Sequence, residues 1–261
     1  MAEYKGIKGF KVQYLDQDPV PAVAGWSAGN NMNTARNSLG GAGTQTATVG
    51  FGGENPARLR ATEEYDGTNW ASSNPLNTER TQIAGAGTQT AALGFGGEGP
   101  PPIGATAATE EYDGNSWANS NSLNTARTGL AGCGIQTAGL AIGGELVPGA
   151  ITGATEEYNG STWTSSNNLN TTRRLLSAAG TQTAALGFGG STGSVTGATE
   201  LYDGTSWTSN PTGLNTARYY LGGAGTQTAA VGFGGEAPPS SAATEEWTQA
   251  GVTGIKTVTV S

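Results

Sequence analysis

Histidine is absent from this 261-residue chain, and cysteine occurs once, at Cys133. Without imidazole there is no Ser-His-Asp triad, no histidine-bound zinc or copper, and no imidazole general base. A single thiol excludes an internal disulfide framework and any cysteine-based metal cluster. No apolar run reaches the roughly 18 residues that a membrane-spanning helix needs, so no membrane insertion is expected. The opening Met-Ala-Glu-Tyr-Lys leads into no apolar stretch, so no secretory signal is recognisable. Large apolar side chains are scarce as well: Leu, Ile, Val and Phe make 38 residues, about 15%. With a net charge of −8, that scarcity by itself suggests disorder. The acidic balance argues against nucleic acid as a partner.

Glycine is plentiful, at 44 residues with 11 prolines, and leaves no room for long amphipathic helices. It is also ordered along the chain, because one pattern recurs five times. Its elements are Asn-Thr-X-Arg, a glycine-rich stretch, a Thr-Gln-Thr turn (Ile-Gln-Thr in the third copy) and an alternating apolar run ending in Gly-Gly. Thr-Glu-Glu-Tyr-Asp-Gly and a tryptophan follow. Arg36, Arg80, Arg127, Arg173 and Arg218 are spaced by 44, 47, 46 and 45 residues. Trp26, Trp70, Trp117, Trp163 and Trp207 keep the same beat, and Trp247 stands where the repeat has Tyr65. A disordered chain holds no such register.

Each repeat reads as four short strands: Leu39–Gly43, the run after the turn, Thr62–Tyr65 and the segment around Trp70. In the second repeat Ala91, Leu93 and Phe95 point one way and Ala92, Gly94 and Gly96 the other. A bulky face and a bare face suit sheets stacked side by side. Four antiparallel strands per repeat without helices predict an all-β fold, a five-bladed β-propeller over residues 26–251. Residues 1–25 form an N-terminal extension with an extra strand and a proline hinge, and 252–261 a C-terminal strand. The last repeat supplies three strands. The Trp26 strand is the preferred fourth, uniting the chain ends, with Ile255–Val260 as the competing closure. Ile7–Leu15 and Ile255–Val260 are read either as a clasp or as strands that attach the propeller to a larger assembly.

The glycine pairs Gly52-Gly53, Gly96-Gly97, Gly143-Gly144, Gly189-Gly190 and Gly234-Gly235, with the Tyr-Asp and then the Trp that follow in the repeat pattern, resemble the kelch repeat. The wording Leu-Asn-Thr-Ala-Arg, Gly-Ala-Gly-Thr-Gln-Thr-Ala and Thr-Glu-Glu-Tyr-Asp-Gly is similar to kelch-like proteins of tailed bacteriophages of marine bacteria. So are the two termini. That resemblance implies a virion or tail-associated protein, made in the host cytoplasm.

Residues present in every blade are expected to serve the blade. Arg36, Arg80, Arg127, Arg173 and Arg218 should pair with Glu63, Glu110, Glu156, Glu200 and Glu245 as buried, bidentate ion pairs; a ring binding an anion is the alternative. Glu64, Glu111, Glu157 and Glu246 give way to Leu201 in blade four, which places them on an open face. Gln45, Gln89, Gln136, Gln182 and Gln227 cap turns or form a polar collar. Asp66, Asp113, Asn159 and Asp203 belong to hairpin turns. Cys133 fills the slot of Ala42 and Ala86 as a small core residue. Glu54, Glu98, Glu145 and Glu236, with Ser191 in blade four, are expected to ring one face.

Loops joining the second and third strands differ between blades and make the candidate recognition surface. Asn55, Arg58, Arg60, Pro100, Ile103, Leu146, Val147, Ser194 and Pro238 are its candidate partner-binding residues. Arg58 and Arg60 form a basic spot suited to an anionic sugar or a partner carboxylate. No catalytic residue, metal or cofactor is expected. The expected function is non-catalytic: a virion component such as a tail fibre, decoration or host-attachment protein. Its partners would be other virion proteins through the terminal strands, and a host-surface glycan or protein. A free carbohydrate-binding propeller is the alternative.

Overall fold

A computed structural model describes residues 29–249, except 103 and 148. Trp26, Ile103 and both terminal strand segments lie outside the described residues. The described chain is all-β, with five antiparallel sheets arranged as a five-bladed propeller. Blade I consists of Gly40–Thr44, Ala47–Phe51, Thr62–Tyr65 and Trp70–Ser73 in that order. Blade II repeats it with Ala84–Thr88, Ala91–Phe95, Thr109–Tyr112 and Trp117–Ser120. Blade III has Ala131–Ile135, Ala138–Ile142, Thr155–Tyr158 and Trp163–Ser166. Blade IV has Ser177–Thr181, Ala184–Phe188, Thr199–Tyr202 and Trp207–Asn210. In blade V the described strands are Gly222–Gly225, Ala229–Phe233 and Thr244–Thr248. The innermost strands of successive blades lie side by side from blade I to blade V.

The bare faces are the packing device. Phe95 packs at a tilt against Trp163 of blade III, with ring centres 4.9 Å apart. A Cβ on Gly132 would come within 2.6 Å of that phenyl ring and 2.7 Å of the Gly85 carbonyl oxygen. Only glycine lets the two sheets approach so closely. Each buried tryptophan also needs a partner for its N–H. Trp117, Trp163 and Trp207 donate to the threonine hydroxyls of Thr62, Thr109 and Thr155 in the preceding blade, at 2.9, 3.0 and 2.9 Å. Cys133 is buried among apolar neighbours of blades III and IV, and burial pushes its thiol up to about 12.

The repeated polar residues join blades, which changes one expectation. Glu64, Glu111 and Glu157 do not face open solvent. They are half-buried and accept hydrogen bonds from Tyr112, Tyr158 and Tyr202 of the next blade. Blade IV carries Leu201 because blade V offers it Trp247 instead of tyrosine; the two are packed in one apolar cluster. The exception is a matched exchange, not a sign of freedom. Gln89, Gln136, Gln182 and Gln227 act as caps rather than a collar, and across the blade boundary. Gln136 donates to the carbonyls of Ala92 and Tyr112 at 3.0 and 2.7 Å, and Gln89, Gln182 and Gln227 do likewise.

The tyrosine pairs make stability depend on alkaline pH. Burial, and then the hydrogen bond to the neighbouring glutamate, pushes Tyr112, Tyr158 and Tyr202 up to about 12. In the unfolded chain these phenols ionise near 10. Between those values the unfolded chain releases protons that the folded chain keeps, so stability is full below about pH 10 and falls towards about pH 12. Denaturant midpoints measured at pH 8 and pH 11 should differ in that direction, and equal midpoints would contradict these placements.

Candidate functional site

The five arginines lead into the innermost strands, and each is wholly buried at its guanidinium. Arg127 spreads its fork. One nitrogen donates to the carbonyls of Gly143 and Ala154 at 2.7 and 2.6 Å, and the other to Glu156 at 2.9 Å. The second Glu156 oxygen accepts the backbone N–H of Asn124 at 2.7 Å. The ion pairs therefore exist but are single-contact, not bidentate, because the arginine's other nitrogen is given to two backbone carbonyls: that of Gly143, and that of Ala154, which also accepts the Gly143 N–H at 2.9 Å. With both charges committed inside the blade, these residues are scaffold and anchor the connection into the innermost strand.

Immediately after each arginine the chain pairs with the residue that comes after the Gly-Gly pair. The bridges are Asn37–Glu54, Thr81–Glu98, Thr128–Glu145, Arg174–Ser191 and Tyr219–Glu236. This puts the connections into the innermost strands and the variable loops at one end of the propeller. The glycine pair is required by the turn: Gly96 and Gly97 have φ of 63° and 93°, and the Gly97 N–H donates to the Arg127 carbonyl of the next blade at 2.9 Å.

The next position forms the rim of the central depression. Ser38, Gln82, Gly129, Leu175 and Tyr220 all have left-handed backbone, with φ of 54°, 51°, 59°, 55° and 55°. Hydrogen bonds link them directly from blade to blade: Gln82 N–H to Ser38 at 2.8 Å, Leu175 to Gly129 at 2.6 Å and Tyr220 to Leu175 at 3.0 Å. A non-glycine residue in this conformation costs about 1 kcal/mol or more. Glycine is accepted here, as Gly129 shows, yet four blades carry side chains. Gln82 and Leu175 lean over Gly129, so that a Cβ there would lie 2.7 Å from a Leu175 methyl and 3.3 Å from the Gln82 amide oxygen. These five residues line a depression of about 710 Å³, which shares Gln82, Leu175 and Tyr220 with a second hollow of about 410 Å³. Sequence reasoning passed over them, although a five-fold register with five different residues was the signal.

The expected loop residues have different fates. Leu146 and Val147 sit at the hairpin Glu145–Leu146/Ala150–Ile151, line the second hollow, and Val147 faces Gly104 of the blade II hairpin. Pro100 is in the turn of the Glu98–Gly99/Gly104–Ala105 hairpin. Ser194 and Pro238 are exposed loop residues. Asn55 is exposed and donates to the Ala35 carbonyl at 2.7 Å. The basic spot needs correction: Arg58 is ion-paired with Glu98 of the next blade, leaving Arg60, whose guanidinium reaches the Asn77 carbonyl at 3.4 Å. A further arginine, Arg174, belongs to this face and pairs with Glu145. Tyr219 donates to Glu236 at 2.6 Å.

Charges from several blades converge on Tyr220. Burial raises its hydroxyl above the ordinary range and Arg174 opposes that, while Glu236, Glu54 and Glu145 add to the rise. Among the described residues, no three Cys, Asp or Glu side chains are grouped so as to hold a metal ion. No protein-family model matches the chain, and no curated protein matches it.

Proposed function

We propose that this chain is a non-catalytic recognition propeller, a component of a phage particle that binds a partner or the host surface through the end carrying the variable loops. One observation carries the recognition reading: residues that differ from blade to blade gather at one end of a scaffold whose other residues repeat. Keeping the frame and varying one end is how a regular fold writes specificity. The non-catalytic reading is supported by the innermost strands, whose only ionisable side chain among the described residues is the buried Cys133. The virion setting is supported by the resemblance of the repeats and termini to phage kelch-like proteins, with the terminal strands docking to a neighbouring virion protein. A free lectin with one site per blade would repeat its binding residues in every blade, and these loops do not repeat.

Particle proteomics and cell binding test the two halves separately. The protein should be found in purified virions, and the isolated chain should bind host cells saturably. Exchange of the blade II and blade III hairpins should remove that binding. Absence from particles would sink the virion assignment, and binding unchanged by the exchange would sink the recognition surface.

A further inference from the structure

The rim of left-handed residues deepens the recognition reading, on which it rests. We infer that the central depression is a single saccharide-binding site, taking one neutral or amine-bearing pyranose, with Tyr220 as its stacking platform and Gln82 and Ser38 as its hydrogen-bonding groups.

Three observations point there. The first is shape: about 710 Å³ lies in the usual range for small-ligand pockets, about 300–1,000 Å³. The second is the mixture of surfaces. Tyr220 is 45% exposed and leans on Tyr219 with ring centres 5.4 Å apart, and it shares the depression with the apolar Leu175, the amide of Gln82 and the hydroxyl of Ser38. A pyranose presents the complement, a flat face of C–H groups edged by hydroxyls. The third is charge. Glu54, Glu98, Glu145 and Glu236 line the two hollows, and Arg58 and Arg174 neutralise two of them, leaving an excess of negative charge. Sugars bearing carboxylate, sulfate or phosphate are disfavoured there.

The rim is also asymmetric, with hydroxyl, amide, bare backbone, alkyl and phenol in turn, so it makes one site per molecule rather than one per blade. Side chains kept in a conformation that glycine would satisfy without strain indicate that the side chains are needed.

The full chain should be screened on an array of neutral, amino and acidic glycans, and the best ligand titrated calorimetrically. The expected result is a neutral or amino sugar bound once per chain. Tyr220→Ala and Gln82→Ala should each weaken it at least tenfold, and Tyr220→Phe only a fewfold, since the ring is kept. Circular dichroism melting of each variant separates lost binding from lost fold. Five equivalent sites, preference for acidic sugars, or affinity indifferent to Tyr220→Ala would overturn the inference. Saturable cell binding without any glycan ligand would overturn it too, while leaving the recognition reading in place. Loss of both would remove that reading as well.

Discussion

Arg127→Met should destabilise the propeller by about 3–5 kcal/mol, the range expected when one partner of a buried ion pair is removed. Glu156 is 1% exposed, and the substitution leaves its carboxylate with the Asn124 N–H but without its counter-charge. The Gly143 carbonyl loses its donor at the same stroke, while that of Ala154 keeps the Gly143 N–H. The double variant Arg127→Met/Glu156→Leu should recover part of the loss, since no charge is then stranded, though the Gly143 carbonyl and the Asn124 N–H are left unpaired. Equilibrium denaturation in urea measures all three proteins. A single-variant loss below about 1 kcal/mol would show that the pair is not the blade's internal tie.

Gly132→Ala is expected to cost about 1–3 kcal/mol or more by overpacking, although alanine normally favours a strand over glycine. The new methyl would stand 2.6 Å from the Phe95 ring and 2.7 Å from the Gly85 carbonyl oxygen, and the latter is backbone that cannot rotate away. Blade IV shows what relieves the contact with the ring. Its equivalent residue is Ala178, and the side chain it meets from blade III is Ile142, where the other blades have phenylalanine. Phe95→Ile should therefore recover part of the loss by removing the ring contact, making the double variant more stable than the alanine variant alone, while the approach to the Gly85 carbonyl remains. Strictly additive effects in the double-mutant cycle would mean that the two residues do not share the space assigned to them.

Those exchanges also explain how far the sequence could be read. The five-fold register, the four-strand repeat and the alternation of Leu93 and Phe95 against Gly94 need only periodicity, and the propeller results from them. The Arg127–Glu156 pairing was legible for the same reason, as two charged residues in fixed phase in a chain with few others. Leu201 was misread because one blade viewed alone shows a lost glutamate, whereas its partner Trp247 lies one blade further on. Arg58 misled similarly, for its counter-charge Glu98 is 40 residues away. Side chains that cross a blade boundary cannot be paired from one repeat's text. The rim residues were missed for another reason. A left-handed backbone angle has no reliable sequence mark unless the residue is glycine, and only Gly129 of the five is.

The missing histidines and the scarcity of large apolar residues looked at first like poverty, and the sequence alone already turned them into an architecture. Period and alternation are local properties, so repetition determined the strands, the blades and their number. Which polar groups satisfy one another between blades, and which residues converge on the axis, the tertiary structure decided. Closing strands into a ring brings together positions separated by whole repeats, and there five unlike residues, from Ser38 to Tyr220, become neighbours.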